Sequence, residues 1–425
     1  LFHEFCRFVI GNPLRQQPAA SGKPAAEQGY RTTGIQDLAL IYQGGSHRLD
    51  WTVDEFRPYV VHRFADGSKD WLFDGFLFLE FKDGSGRNYT VGYEKLNARR
   101  TEWEWLLDRI FEQGKSLSAL DRCIGQEIKE LGKPAFRHQI VLGLPEAIRG
   151  QKDWGEIDGR EMDFSKEEDQ IAATKWYIGE LVERFKAAKY KHLELSGFYW
   201  VAEDTHHCAE LTIPLSEYIH SEGKLFYWIP YWQAKGHEEW KRLGFDVAYQ
   251  QPNHFFNHSI PDSRLDEACA TARRHGMAME FEFDEKATAA IPNSSHDRMA
   301  AYINHFEKND VFNSSAVAYY CGNRGVLTLD ESDNPKDKAL MDRLARIIQA
   351  RRYLKYGIPM KNKTRVVAHR GFWHTDGSAQ NSIASLLKAD QLGVYGVEFD
   401  VWMASDGVPV LNHDGWHDGY EVQST

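Results

Sequence analysis

The chain has 425 residues, 42% of them hydrophobic and 27% charged, which is the composition of globular protein and enough for two or three domains. With 51 basic against 62 acidic residues it carries a net charge of −11, which argues against nucleic acid or an anionic membrane as the main partner, since both demand a basic face. Its apolar runs have the length of buried strands, short of the roughly twenty residues of a membrane span.

In chain order, the sequence opens on Leu1, and residues 1–36 read as a linker or fragment, since Pro13 to Gly29 is rich in Pro, Ala, Gly and Gln without periodicity. A chain that starts without Met leaves room for a lost signal peptide, so the expected location is periplasmic or extracellular. The cysteines (Cys6, Cys123, Cys208, Cys269, Cys321) are scattered and never form a CxxC pair, so neither a zinc site nor a disulfide framework is expected.

From residue 37, short apolar, β-branched or aromatic runs alternate with amphipathic stretches. Strands are predicted at 37–45, 71–81, 137–145, 192–200, 224–232, 244–252, 276–284 and 315–322. Helices are predicted at 166–189, 262–276 and 294–310, and a last one over 335–353 would close the fold. Eight strands, each followed by a helix or helix-sized insert, predict a (β/α)8 TIM barrel over residues 37–353. An open doubly wound sheet ranks lower, because IYQGG after the first strand lacks the GxGxxG spacing.

Chemistry in such barrels sits at the C-terminal ends of the strands. The seventh strand reads MAMEFEFDE, and its period of two turns Met277, Met279, Phe281 and Phe283 toward the helices and Ala278, Glu280, Glu282 and Asp284 toward the axis. Acids stacked on an interior face repel one another in a low dielectric, so function rather than packing accounts for them. The fourth strand ends FYWVAEDT, which places Glu203 and Asp204 just past it. Glu203 with Glu282 forms the carboxylate pair of a glycosidase, one protonating the leaving oxygen while the other attacks or activates water. Glu280 is the alternative to Glu282. Tyr231, Trp232 and Trp200 are candidates to stack on sugar, and Asp74, Gln43, Gln251 and Asn253 to bond its hydroxyls.

The segments YQGG, WLFDGFLFLEF, GFYWVAE, WIPYW and GFDVAYQQPNHFF together resemble a bacterial family known as domain of unknown function 4855, over about residues 37–352. That resemblance implies a glycosidase-like barrel and leaves the reaction open; no cofactor is expected for this barrel.

After a basic joint (354–364) comes TRVVAHRGFWHTDGSAQNSIASLLKADQLGVYGVEFDVWMASDGVPVLNHD, read as strand, turn, helix and two further strands. Glu398 and Asp400, two apart on a strand, project to one side and can share a hard cation. His369 and His413 are each expected to end a neighbouring strand. A divalent ion, an arginine and two acid–base imidazoles are what phosphodiester cleavage needs. These elements resemble the opening of the glycerophosphodiester phosphodiesterase family, whose HRG, ExD and HD are here His369–Gly371, Glu398 with Asp400, and His413 with Asp414. The resemblance implies His369 and His413 as general acid and base, Arg370 and Asn381 as substrate-binding, and Glu398 and Asp400 as ligands of Ca²⁺ or Mg²⁺. It departs at the family's Pro-Glu-Asn-Thr, which is Ala379, Gln380, Asn381 and Ser382. Residues 360–425 are thus expected to form a truncated second barrel.

The combined reading is a modular hydrolase acting on glycan and glycerophosphodiester substrates. Its rival is a first barrel that only binds carbohydrate and delivers the phosphodiesterase to a surface.

Overall fold

The computed structural model describes residues 10–11, 34–206, 208–358, 366–373, 375, 377–417 and 419–424. The proposed linker at 13–29, Cys6 and most of the joint at 354–364 lie outside the described residues. The chain divides into two compact units, Pro24–Ile358 and Pro359–Thr425 with Leu1–Lys23.

In the first unit eight strands form a closed barrel: β1 (Asp37–Tyr42), β2 (Gly75–Leu79), β3 (His138–Leu144), β4 (Leu193–Trp200), β5 (Leu225–Trp228), β6 (Val247–Gln250), β7 (Ala278–Glu282) and β8 (Val317–Tyr320). Each pairs in parallel with its neighbours in sequence, and β8 returns to β1 through Val317↔Asp37, Ala318↔Leu38 and Tyr319↔Ala39. Alternation along each strand separates two cores. Leu38, Leu40, Leu77, Leu79, Val141 and Ala278 fill the barrel, while Ala39, Ile41, Phe76, Phe78, Met279 and Phe281 face the helices. The register slips in β4 between Leu195 and Gly197, where a Cβ on Gly197 would meet the Leu225 carbonyl oxygen at 2.0 Å. Only glycine fits a bulge pressed so closely on the neighbouring strand.

The main helices are α1 (Val53–Val60), α2 (Arg100–Ile110), α3 (Ser116–Leu131), α4 (Glu167–Ala188), α5 (Ala209–Ser221), α6 (Ser263–His275), α7 (His296–Lys308) and α8 (Pro335–Tyr356). The interval between β5 and β6 departs from the pattern, holding a single 3₁₀ turn at His237–Glu239. Helix α8 begins with Pro335 after an Asn334 cap on the Lys336 N–H and stops at Gly357, whose φ of 61° is left-handed.

Helix α8 bolts the base of the barrel. Arg351 Nη1 lies 2.9 Å from Asp37 Oδ1, and its Nη2 donates to the Ser315 carbonyl at 2.7 Å, so one side chain spans the β1–β8 seam. Tyr319 OH donates to the same Asp37 oxygen at 2.8 Å. Burial nevertheless pushes Asp37 up to about 6, with Arg351 opposing the rise and the Asp74 charge adding to it. Asp74 corrects an expectation. It sits just before β2, at the end remote from the strand C-termini, accepting the Gln36 and Asp37 N–H groups at 3.0 and 2.8 Å with Lys355 at 3.4 Å. It therefore holds the base together and is out of reach of a substrate at the rim.

In the second unit, β9 (Val367–His369) and β10 (Gly396–Glu398) pair in parallel across helix α9 (Ile383–Gln391), and Ile10–Gly11 pairs antiparallel with β10. Then β11 (Val401–Met403) and β12 (Pro409–Leu411) form a separate antiparallel hairpin. His413 thus follows a strand that pairs with β11 and not with β9, which corrects the expected adjacency of the two histidine-bearing strands. Asp400 lies just past β10 rather than within it.

Removing one partner of a buried ion pair strands the other. Arg351→Met should therefore cost about 3–5 kcal/mol in the barrel's urea unfolding, and Asp37→Asn added to it should recover part of that loss.

Candidate active site

Backbone bonds carry the barrel ladder past the strand ends into the rim: Tyr231 N–H donates to the Glu203 carbonyl at 3.3 Å and Gln251 N–H to the Pro230 carbonyl at 3.2 Å. The loop after β6 is thereby set beside the one after β4. Gln251 Nε2 donates to Glu203 Oε1 at 2.8 Å and to the Ile229 carbonyl at 2.9 Å, which fixes the amide's orientation. Asn253, at a left-handed φ of 50°, accepts the Trp232 N–H at 2.6 Å. Its Nδ2 donates to Gln251 Oε1 at 2.8 Å and reaches Glu282 Oε1 at 3.4 Å. One connected chain of side chains, Glu203–Gln251–Asn253–Glu282, therefore spans β4 to β7. Asparagine tolerates that backbone conformation better than most residues, and strain of this kind collects at functional sites.

Glu282 is the more firmly held acid. Besides Asn253, the His254 N–H donates to its Oε2 at 3.2 Å and the Tyr302 hydroxyl from α7 bonds the same oxygen. Arg298, also from α7, clamps that loop through the carbonyls of His254, Phe255, Asn257 and Ile260.

A cavity of about 390 Å³ opens at this end of the barrel, within the range of roughly 300–1,000 Å³ for small-molecule sites. Glu203, Glu280, Glu282, Gln251 and Asn253 line it. Glu280 and Glu282 are 3% and 2% exposed, and Glu203 is half-buried. Burial pushes Glu203 up to about 7, with the Gln251 hydrogen bond opposing it and the Asp204 charge adding. Burial likewise pushes Glu282 up to about 7, opposed by its bonds to Tyr302 and His254. Glu280 is raised well above the usual carboxylate range by burial, then by the Glu282 and Glu203 charges.

The structure thus brings Glu203, Glu282, Gln251 and Asn253 together. Tyr231, 38% exposed, donates its hydroxyl to Asp204 Oδ2 at 2.9 Å and lines a smaller cavity of about 130 Å³ that shares Glu203 and Tyr93 with the main one. Two aromatics are corrected. The Trp232 ring packs on the outer core under Arg264, 4.7 Å from its centroid, and only its backbone reaches the site. Trp200 is buried against Phe226 on the helix side, because its parity along β4 points outward. Asp284 caps the turn at Lys286 instead of facing the cavity. The aromatic walls are Tyr42, Phe81, Tyr93, Tyr199, Phe256 and Tyr320. Inward parity at the ends of β2 and β8 was the available signal for Phe81 and Tyr320. Tyr93 and Arg48 come from long loops, where periodicity says nothing.

In the second unit, His369 ends β9 with Nε2 3.9 Å from Glu398 Oε2. Arg370, at φ 58°, donates its N–H to Glu398 Oε2 at 3.1 Å, and its Nε lies 3.3 Å from Asp400 Oδ2. Buried Asn381 exchanges two bonds with Asp400, at 3.1 and 3.2 Å. Asn412 N–H donates to the Asp400 carbonyl at 3.2 Å, and the next residue, His413, bonds Asp414 through Nδ1 at 2.8 Å. Glu398 and Asp400 are the hard oxygen donors that Ca²⁺ or Mg²⁺ takes, and they supply part of such a shell. Among the described residues no group of three His, Cys, Asp or Glu side chains forms a metal cluster.

The family model described as "Domain of unknown function (DUF4855)" matches residues 37–346, and that of the "Glycerophosphoryl diester phosphodiesterase family" matches residues 369–420. Glycerophosphodiester phosphodiesterase 1 of Rattus norvegicus and that of Mus musculus are each 39% identical over 67 residues, 16% of this chain and 19% of theirs. The chain thus spans about a fifth of the length of the curated relatives it matches. Among solved structures, a provisionally assigned alpha-L-fucosidase of Bacteroides thetaiotaomicron VPI-5482 shares 13% identity at a TM-score of 0.39, covering 79% of this chain and 99% of its own. A GH18 chitinase from Pseudoalteromonas aurantia shares 11% at a TM-score of 0.37, covering 72% and 99%.

A carboxyl whose pKa is higher folded than unfolded costs stability as pH rises above the unfolded value. For Glu280 that cost starts above the ordinary 4.5 and grows through neutrality. Glu280→Gln should therefore raise the melting temperature near pH 8, by roughly 2–4 °C per kcal/mol relieved, and leave it unchanged near pH 4.

Proposed function

The chain belongs to the DUF4855 family, and from that premise we propose that its barrel is a retaining glycoside hydrolase. Glu282 is the nucleophile and Glu203 the acid–base residue. The observation that carries this reading is the bonded chain through Gln251 and Asn253 that holds the two carboxyls on one cavity. Three donors converge on Glu282, and such bonds favour the ionised form that attacks an anomeric carbon. Glu203 accepts one side-chain bond, is half-buried and borders the outer cavity, so it can lend a proton to a leaving oxygen and recover it from solvent. A cavity with paired acids favours an enzyme over a module that only binds carbohydrate, which would offer an open aromatic face.

For the second unit the proposed activity is glycerophosphodiester hydrolysis, in a protein that carries the whole of such a domain. His369 and His413 exchange protons with the ester oxygens and with water, and Arg370 and Asn381 orient the phosphate. Glu398 and Asp400 would hold a divalent cation, which supplies charge neutralisation when bound.

Glu203→Gln should lower kcat/KM on natural glycosides by about 10²–10⁴ while sparing aryl glycosides whose leaving group needs no proton, whereas Glu282→Gln should abolish both. Proton NMR of the first-formed product should show retention of anomeric configuration. Inversion, or full activity of Glu282→Gln, would overturn the assignment.

In the phosphodiesterase assay, hydrolysis should require added Ca²⁺ or Mg²⁺. His369→Ala or His413→Ala should abolish it without touching cleavage by the barrel.

A further inference from the structure

We propose that the barrel cavity selects a sugar bearing a free, protonated amino group and that Glu280 receives that ammonium. The inference rests on reading the cavity as a sugar site.

It begins from an imbalance. Glu280 points into the barrel from β7, is 3% exposed and lines the cavity, yet its side chain makes no hydrogen bond or ion pair with any described residue. Its neighbours are provided for: Glu282 has three donors and Glu203 has Gln251. The Glu280 carboxyl oxygens are open to the cavity rather than sealed in the core, so a ligand entering there can reach them.

The cavity's own cations do not answer that need. Arg48 lines the wall, but its Nε and Nη2 are bound to Glu80 at 2.8 and 2.9 Å. Lys82 faces Glu94 at 3.5 Å. Both positive charges are matched outside the acid trio, so the Glu203, Glu280 and Glu282 carboxyls are left in excess.

Ligand classes can then be compared. A uronic acid or sulfated sugar would bring an anion against three carboxyls. A neutral hydroxyl could bond Glu280 in its protonated form, and an N-acetyl group carries no charge at all, so neither would draw the carboxyl into its ionised form. An ammonium supplies both donors and charge. The walls favour it too, since Tyr199 and Tyr320 line the cavity and aromatic rings attract cations.

The test is titration calorimetry on the full chain with glucosamine and galactosamine, their N-acetyl derivatives and the neutral parent sugars, at a pH where the amines are protonated. At least one amino sugar should bind about tenfold or more tighter than its neutral and acetylated counterparts. Glu280→Gln, checked for folding by circular dichroism, should erase that preference. Glu203→Gln, which removes a carboxyl from the same cavity, should keep it. Equal binding of neutral sugars, no sugar binding at millimolar concentration, or an undiminished preference in Glu280→Gln would overturn the proposal. Binding preference without cleavage of amino-sugar glycosides would instead fail the hydrolase reading. Cleavage of neutral glycosides as readily as amino ones would keep that reading and sink this one.

Discussion

Closure of the sheet, β8 onto β1, is the constraint on which the rest of the first unit depends. Only in a closed ring do the ends of β4 and β7 face one cavity, and only then do Glu203, Glu280 and Glu282 share it. The seam is held by few ladder pairs, Val317 to Tyr319 against Asp37 to Ala39, so side chains from α8 reinforce it. Arg351 bonds both strands' ends at once, and Asp74 ties the start of β2 to the start of β1. Such buried charges add less net stability than their number suggests, because each must be desolvated. What they contribute is a single register, since a one-residue slip would leave Asp37, Asp74 and Arg351 unpaired at the base.

With the base fixed, the rim can hold groups that a packed interior would reject. Barrel interiors are normally filled by branched aliphatics. Here β7 presents two carboxyls inward on successive inward positions, and a third comes from the loop after β4. Their burial raises all three, and the donors are shared unequally among them. The roles proposed for the three acids rest on that inequality of donors, since burial alone raises Glu203 and Glu282 alike. The distribution comes from the Gln251–Asn253 segment and from α7, through Tyr302 and Arg298, rather than from the strands that carry the acids.

The second unit works by a different economy of contacts. Arg370 and Asn381 both adopt left-handed backbone, which aims the Arg370 N–H at Glu398 and lets Asn381 trade bonds with Asp400. The motif residues His369, Arg370, Asn381, Glu398 and Asp400 are therefore assembled around two carboxylates by local turns and one parallel strand pair. His413 is tied to this neighbourhood by the Asn412 N–H on the Asp400 carbonyl and by Trp402 Nε1, which donates to the His413 carbonyl at 3.4 Å.

Much of this was legible in the order of residues. Strand period and helical spacing are local properties, so the eight strands, the helices flanking β7 and the inward parity of Glu280 and Glu282 could be read before any fold was known. The spacing of HRG and ExD carried the second site in the same way. What the sequence could not decide are the contacts between segments distant in the chain. The place of Asp74 before its strand and the outward parity of Trp200 are local properties too, whereas the Trp232 ring turns to the outer core although its neighbour Tyr231 stays at the rim. Arg48 and Tyr93 reach the cavity from loops with no periodic signal. The donors to Glu282 come from Asn253, His254 and Tyr302, residues made adjacent only by the packing of β6, β7 and α7. The reason is physical: periodicity reports which face a side chain takes, whereas its partners depend on which faces meet once the ring has closed.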